Sequence, residues 1–409
     1  MLPERWKHAT IENLGAKGKP AVKAGPFGSS LKKEYYKPFG YKIYGQEQVI
    51  SNDENYGSYF IDENKYNELK SCSVSPGDIL ISLVGTIGQT LLLSNSCQQG
   101  IINPRLLRVS LDKDRIIPAY IQYILASNYT QNILKRWAQG GTMGVLNAEM
   151  IKTFPILLPP LPEQKKIAAI LSTWDRAIEG TEKLLANSQQ QKKALMQQLL
   201  TGKKRLPGFT GEWIWKRSKE IFKSISIKNN PMDCELLSVT QDQGVVLRSS
   251  LERRVVMPDG SVQGYKLVNP GNFIISLRSF QGGLEYSYYR GLVSPAYTVL
   301  DNKIEIENEF YKFYFKSYDF IGHLAVATIG IRDGKQISYE DFSFIKLPYP
   351  PLSEQKAIAA VLTTADEELA ALESDLSRLR QEKKALMQPL LTGKASREGR
   401  LKNVSPQDI

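Results

Sequence analysis

Histidine and cysteine are scarce in this chain, and their scarcity removes much of the chemistry that 409 residues could carry. The two histidines, His8 and His323, stand far from any second ligand in the sequence, which argues against a zinc centre or a Ser-His-Asp triad. Cys72, Cys97 and Cys234 are widely spaced and odd in number. They read as ordinary thiols of a reducing cytoplasm, not as a disulfide frame. No run of eighteen apolar residues exists to cross a bilayer, and MLPERWKHAT lacks the apolar core of a signal peptide. The expectation is a soluble, cytoplasmic chain with no membrane partner.

Catalytic motifs are missing as well. No GxxxxGK[ST] phosphate loop occurs, and no glycine-rich dinucleotide or S-adenosylmethionine loop follows a strand. INPRL (102–106) has only the first half of an Asn-Pro-Pro-aromatic methyltransferase motif, so Pro104 reads as turn chemistry. PDG at 258–260 is followed by Gln263 and Lys266 with no second acid where a nuclease needs one, which again leaves a turn. No set of acid, base and nucleophile emerges. The expected chain is not an enzyme and holds no metal and no cofactor of its own.

Positive charge, in contrast, is plentiful. Lysine and arginine number 53 against 42 acids, giving +11 and a pI near 9.2, and this balance points to an acidic polymer as partner.

One line of text occurs twice. Residues 159–203 lie over 350–394 without a gap, with about 26 identities over 45 positions, a level that marks a duplicated segment. Both copies begin PPL.EQK.IAA.L and end KKALMQ.LLTGK. Prolines at the start, Ser353 as a candidate N-cap, and Gly202 or Gly393 as C-cap bound a helix of about 37 residues, ~55 Å long. Steps of four and three run through Ile167, Leu171, Trp174, Ile178, Thr181, Leu185, Ser188, Lys192, Leu195 and Leu199. In the second copy they run through Ile358, Leu362, Ala365, Leu369, Leu372, Leu376, Leu379, Lys383, Leu386 and Leu390. A 3.5-residue apolar period of this length predicts a coiled coil, with the matched Lys192 and Lys383 as polar breaks that fix register. An antiparallel pair is the simpler packing for two helices of one chain.

The text before each helix matches more weakly. SPGDILISLVGTIGQTLLL (75–93) lies over NPGNFIISLRSFQGGLEYS (269–287), and Pro104 and Pro295 keep the 191-residue offset of the helices. Alternating apolar residues and glycine turns predict β-rich heads, with amphipathic helices over 118–138 and 308–327. The expected fold is α+β: two mixed, β-rich heads joined by two long antiparallel helices forming a coiled coil, related by a pseudo-twofold repeat. The boundaries are head 1 at 1–157, helix 1 at 158–202, head 2 at 203–349, helix 2 at 350–394 and a polar tail at 395–409.

Basic and polar residues cluster in loops of both heads. KGKPAVKAGPFGSSLKKEYYK (17–37) supplies Lys23, Ser29, Ser30, Lys32 and Lys33, and YGQEQ (44–48) supplies Tyr44, Gln46 and Gln48. Thr142 completes the set of head 1. Head 2 offers Thr240, Gln241, Gln243 and Arg248, then Arg278, Ser279 and Gln281, then Arg332 and Lys335. Lysines neutralise phosphates, glutamine makes bidentate contact with adenine, and the arginine fork suits guanine.

With repeat, helices and heads assembled, the chain resembles the specificity subunits of type I restriction-modification enzymes. The resemblance rests on PPLPEQKKIAAIL with KKALMQQLLTGK, on PPLSEQKAIAAVL with KKALMQPLLTGK, and on LLSVTQDQGV, ISLRSFQGG and VSPAYTVL. It implies two target recognition domains, each reading half of a split double-stranded DNA site. It also implies docking of two methyltransferase subunits that use S-adenosylmethionine, and of restriction-translocase subunits that use ATP and Mg2+. Trp174 and Gly180 against Ala365 and Ala371 depart from strict symmetry. The competing reading is a non-enzymatic coiled-coil interaction protein with two protein-binding heads.

Overall fold

The computed structural model describes residues 3, 5–140, 146–228, 234–240, 243–251, 264–327 and 337–397. Two compact units emerge: Met1–Gly180 with Leu376–Ile409, and Thr181–Asp375. Each unit therefore contains one head, half of the first long helix and half of the second.

In unit 1, strands Val22–Ala24, Leu106–Val109, Ile79–Ser82 and Thr90–Leu92 form an antiparallel sheet in that order. The inner strand Ile79–Ser82 is buried at every residue, which is why it reads ILIS with little alternation. A smaller mixed sheet places Tyr41–Tyr44 between Phe60–Ile61 and Gly100–Ile102. Strand Lys7–Thr10 pairs with Pro155–Leu158 directly before the first long helix.

Unit 2 repeats the frame. Phe222–Ile225, Thr298–Asn302, Phe273–Ile275 and Glu285–Tyr286 make the four-stranded antiparallel sheet, and Ile214–Arg217 pairs with Lys346–Tyr349. Ile79 faces Val109 in unit 1 and Phe273 faces Leu300 in unit 2, so the weak text alignment of the heads coincides with strand register. The expected single helices over 118–138 and 308–327 are each two: Pro118–Ala126 with Asn128–Gly140, and Asn308–Phe315 with Tyr318–Ala327. A serine breaks both. Ser127 Oγ accepts from Thr130 N and Ser317 Oγ from Phe320 N, so each serine caps a new helix where the pattern alone would continue the old one.

The long helices span Leu161–Leu199 and Leu352–Leu391. Ser353 lies inside the first turn rather than at the N-cap, because Pro351 already accepts from Glu354 N. Gly202 and Gly393 adopt φ of 70° and 75°, the left-handed turn expected after each helix. Every expected coiled-coil position is buried or half-buried, from Ile167 to Leu199 and from Ile358 to Leu390. Within unit 2, Ser188 Oγ donates to Glu368 at 2.7 Å while Lys192 pairs with Asp366, so numbers rise along one helix as they fall along the other. The helices are antiparallel. Within unit 1, Lys383 pairs with Asp175, the image of the Lys192–Asp366 pair under the 191-residue offset. The matched polar breaks are thus ion pairs made twice.

The repeated Glu-Gln dipeptide holds each head. Glu163 accepts from the Trp6 indole at 3.1 Å, and Glu354 accepts from the Trp213 indole at 3.0 Å. Gln164 accepts from Ile117 N and donates to Pro159 O, each at 2.9 Å. Gln355 accepts from Glu307 N at 2.9 Å and donates to Pro350 O at 2.8 Å. Both glutamines are almost wholly buried. Their amides satisfy backbone groups at the start of a head helix and at the entry of the long helix, groups that burial would otherwise leave unpaired. Tyr120 O–H to Leu157 O and Tyr311 O–H to Pro348 O, at 2.7 and 2.8 Å, repeat the same tie. The ends of the helices close the clamp. Trp6 shares a core with Leu390 and Leu391, and Trp213 packs against the core that holds Leu199 and Leu200.

Candidate nucleic-acid interface

In head 1 the loops after Val22–Ala24 and Tyr41–Tyr44 converge on Asn103. A side chain at Gly25 would strike Asn103 O, so that glycine is required by close approach, while Gly45 lies against the Glu47 carboxylate and Asn103 Nδ2. From that base the first loop projects Ser29, Lys32 and Lys33 with a fully displayed Phe27, 87% exposed, while Ser30 is half-buried and Leu31 anchors the loop in the core. Lys32 has Glu34 at 3.7 Å, and Lys23 lies half-buried on its strand. Gln46 is half-buried and donates to Val84 O, which ties a third loop to the group.

Two residues of head 1 expected to touch DNA are buried. Tyr44 is fully buried, its hydroxyl donating to Gln98 O at 2.8 Å, and burial pushes its pKa up. Gln48 is fully buried too. Its amide accepts from Gly45 N at 2.7 Å and donates to Tyr56 O at 2.6 Å, closing the first turn of the helix Gln46–Ser51. The amide of this glutamine is spent on capping the helix.

In head 2 the hairpin of Leu237–Thr240 and Gly244–Leu247 turns on Thr240, whose Oγ1 accepts from Gln243 N at 3.0 Å. Gln243 is exposed, and Arg248 is half-buried just after the hairpin. Arg278 and Gln281 are exposed at the short helix Ser279–Gly282. Ser279 is buried and accepts from Ser276 N at 2.8 Å, so it supports this loop from within. The hairpin and this helix meet above Glu285, which faces Gly244 and pairs with Lys316; Lys316 also donates to Gly282 O at 3.0 Å. Burial raises the Glu285 carboxyl above its ordinary range, with Lys316 opposing the shift. Thr142, Gln241, Arg332 and Lys335 lie outside the described residues.

Among the described residues no three metal-binding side chains gather at one point, and no helix is long and apolar enough to cross a membrane. What the loops offer is hydroxyl, amide and guanidinium groups, donors and acceptors of the kind that hydrogen-bond phosphates and base edges.

Comparison with known proteins agrees. A family profile described as "Type I restriction modification DNA specificity domain" matches residues 3–187 and again 212–378. The chain belongs to this family. The type I restriction enzyme MjaVIII specificity subunit of Methanocaldococcus jannaschii is 24% identical over 365 residues, 82% of each chain. The type I restriction-modification S subunit from M. genitalium superposes with a TM-score of 0.58 at 15% identity, covering 95% of this chain and 96% of that one. The HsdS subunit from Thermoanaerobacter tengcongensis gives 0.50 at 17%, covering 96% and 98%. At these identities the solved structures speak for the fold: heads carried on long paired helices, as the repeat in the sequence requires.

Sequence reasoning missed the two tryptophans of the clamp. Trp6 and Trp213 stand 157 and 141 residues from the carboxylates they bind, and their signal was present only as a Trp before the first strand of each head.

Proposed function

We propose that this chain is the DNA-specificity subunit of a type I restriction-modification complex. Head 1 reads one half of a split double-stranded site, head 2 reads the other, and the long helices set the number of unread base pairs between them. One observation carries the reading: a duplicated Glu-Gln clamp hangs two unlike sets of polar loops from copies of one scaffold. Such a design conserves position and varies chemistry, which is what a bipartite reader needs. The chain makes and breaks no bond. Two adenine methyltransferase subunits docked on the helices would bring S-adenosylmethionine, and motor-nuclease subunits would bring the use of ATP and Mg2+.

Co-expression with a methyltransferase subunit, followed by mapping of modified adenines, tests this directly. The expected product is a two-part motif with a fixed gap. Four residues inserted between 180 and 190 add one helical turn, ~6 Å, so the gap should grow by one or two base pairs at about 3.4 Å each while both half-sites stay the same. An unchanged gap defeats the ruler. Retention on DNA that falls steeply with salt separates this reading from the protein-binding alternative.

A further inference from the structure

Arg105 belongs to none of the loops that composition singled out, yet it stands where they converge. It follows Asn103-Pro104, and Asn103 Oδ1 accepts from Arg105 N at 2.9 Å in a tight turn. Leu83 N donates to Arg105 O at 3.0 Å, so the turn continues the sheet ladder past its last regular pair and lies beside Val84. Gly25, Gly45 and Gln46 crowd the same point. Arg105 is exposed. Burial raises the pKa of the nearby half-buried Tyr36 hydroxyl, the Glu47 carboxylate adds to that shift and the Arg105 charge opposes it.

Head 2 has the same turn. Ser294 Oγ accepts from Ala296 N at 3.3 Å, and strand register makes Ala296 the counterpart of Arg105 and Arg278 the counterpart of Val84. The cation has therefore changed loops. Head 1 carries arginine after the proline turn and valine one residue past its partner Leu83; head 2 carries alanine after the turn and arginine one residue past its partner Leu277.

We propose that Arg105 is the specificity-determining arginine of head 1, reading a guanine edge from the position that Arg278 fills from the facing loop in head 2. A guanidinium fork matches the O6 and N7 acceptors of guanine in the major groove, and a lysine point charge does not. The proposal rests on the DNA-reading function above and adds the residue and the base.

The test uses the full chain co-expressed with its methyltransferase subunit, with modified adenines mapped across a genome. Wild type gives the two-part motif. Arg105→Ala and Arg105→Lys should each relax one G·C position in one half-site, with methylation of the original motif falling about ten-fold or more and the other half-site unaltered. An unchanged motif and rate in Arg105→Ala overturns the inference alone. So does a uniform loss in Arg105→Ala that Arg105→Lys restores, since that marks a phosphate contact. Failure of the exposed substitution to fold or to join the complex overturns it as well. If wild type itself yields no two-part motif, the DNA-reading function falls, and this inference falls with it.

Discussion

The two heads share their attachments and their sheet frame but fill their interiors differently. Head 1 is built largely on aliphatic side chains, Ile79, Ile81, Leu107 and Val109 among them, whereas head 2 packs Phe222, Phe273, Phe315, Phe320 and Phe342 ring against ring. Phe222 and Phe273 meet edge to face at 5.5 Å, and the residue in head 1 that matches Phe273 is Ile79. Yet the Trp-Glu bond, the buried glutamine and the tyrosine-to-backbone tie recur with distances that agree to within a tenth of an ångström or so. Cores tolerate replacement when volume and pattern are kept, but a buried polar group tolerates no loss of its partner. Diverging copies must therefore keep the polar clamp, while they are free to rewrite the apolar interior.

Exchange of a whole head is the largest perturbation of that comparison. Replacing residues 1–157 with another head that keeps the Trp at its start should change one half-site completely and leave the other intact, as read by methylation mapping. A change in both half-sites would mean that the heads are not independent readers.

A finer test exploits an inequality between the clamps. Glu354 is fully buried and held by Arg205, at 2.6 Å from Nη2, as well as by Trp213. Glu163 is half-buried, and its Oε1 has no partner among the described residues. Arg205→Ala strands a buried carboxylate, so unfolding of unit 2 should become easier by about 3–5 kcal/mol. Glu163→Gln keeps one acceptor for Trp6 and should cost unit 1 about 1 kcal/mol or less. Thermal unfolding followed by hydrogen exchange in each head would report the two separately, and equal losses would remove the asymmetry.

The smallest effect concerns the helix ion pairs. Lys192→Glu should destabilise by about 1 kcal/mol through repulsion with Asp366, and adding Asp366→Lys should restore most of it. A double variant no better than the single one would reduce Lys192 to a spacer.

Much of this is legible in the sequence alone, for reasons that differ by level. Both long helices and their apolar line can be read because a 3.5-residue period is local and is written twice. The sheet frame of the heads survives in phrases such as ILISLVG over FIISLRS because buried strands constrain residue type. The reading loops are legible only as clusters. Tyr44, Gln48 and Ser279 have the side chains of DNA contacts but spend them inside the head, and residue type cannot say which way a polar group faces. Arg105 escapes notice because its meaning lies in the facing loop, where Val84 follows its partner Leu83, and in the exchange seen in head 2.

Gly393 rests on Pro3 and Trp6 in unit 1 as Gly202 rests on Trp213 in unit 2. The glycine after each long helix is therefore seated in the same way in both units. Each unit thus fastens the end of one long helix to the Trp that opens its own head. A gene spliced within the shared KKALMQ text would trade entire readers while every fastening stayed whole, so new target sequences could arise by shuffling rather than by slow substitution.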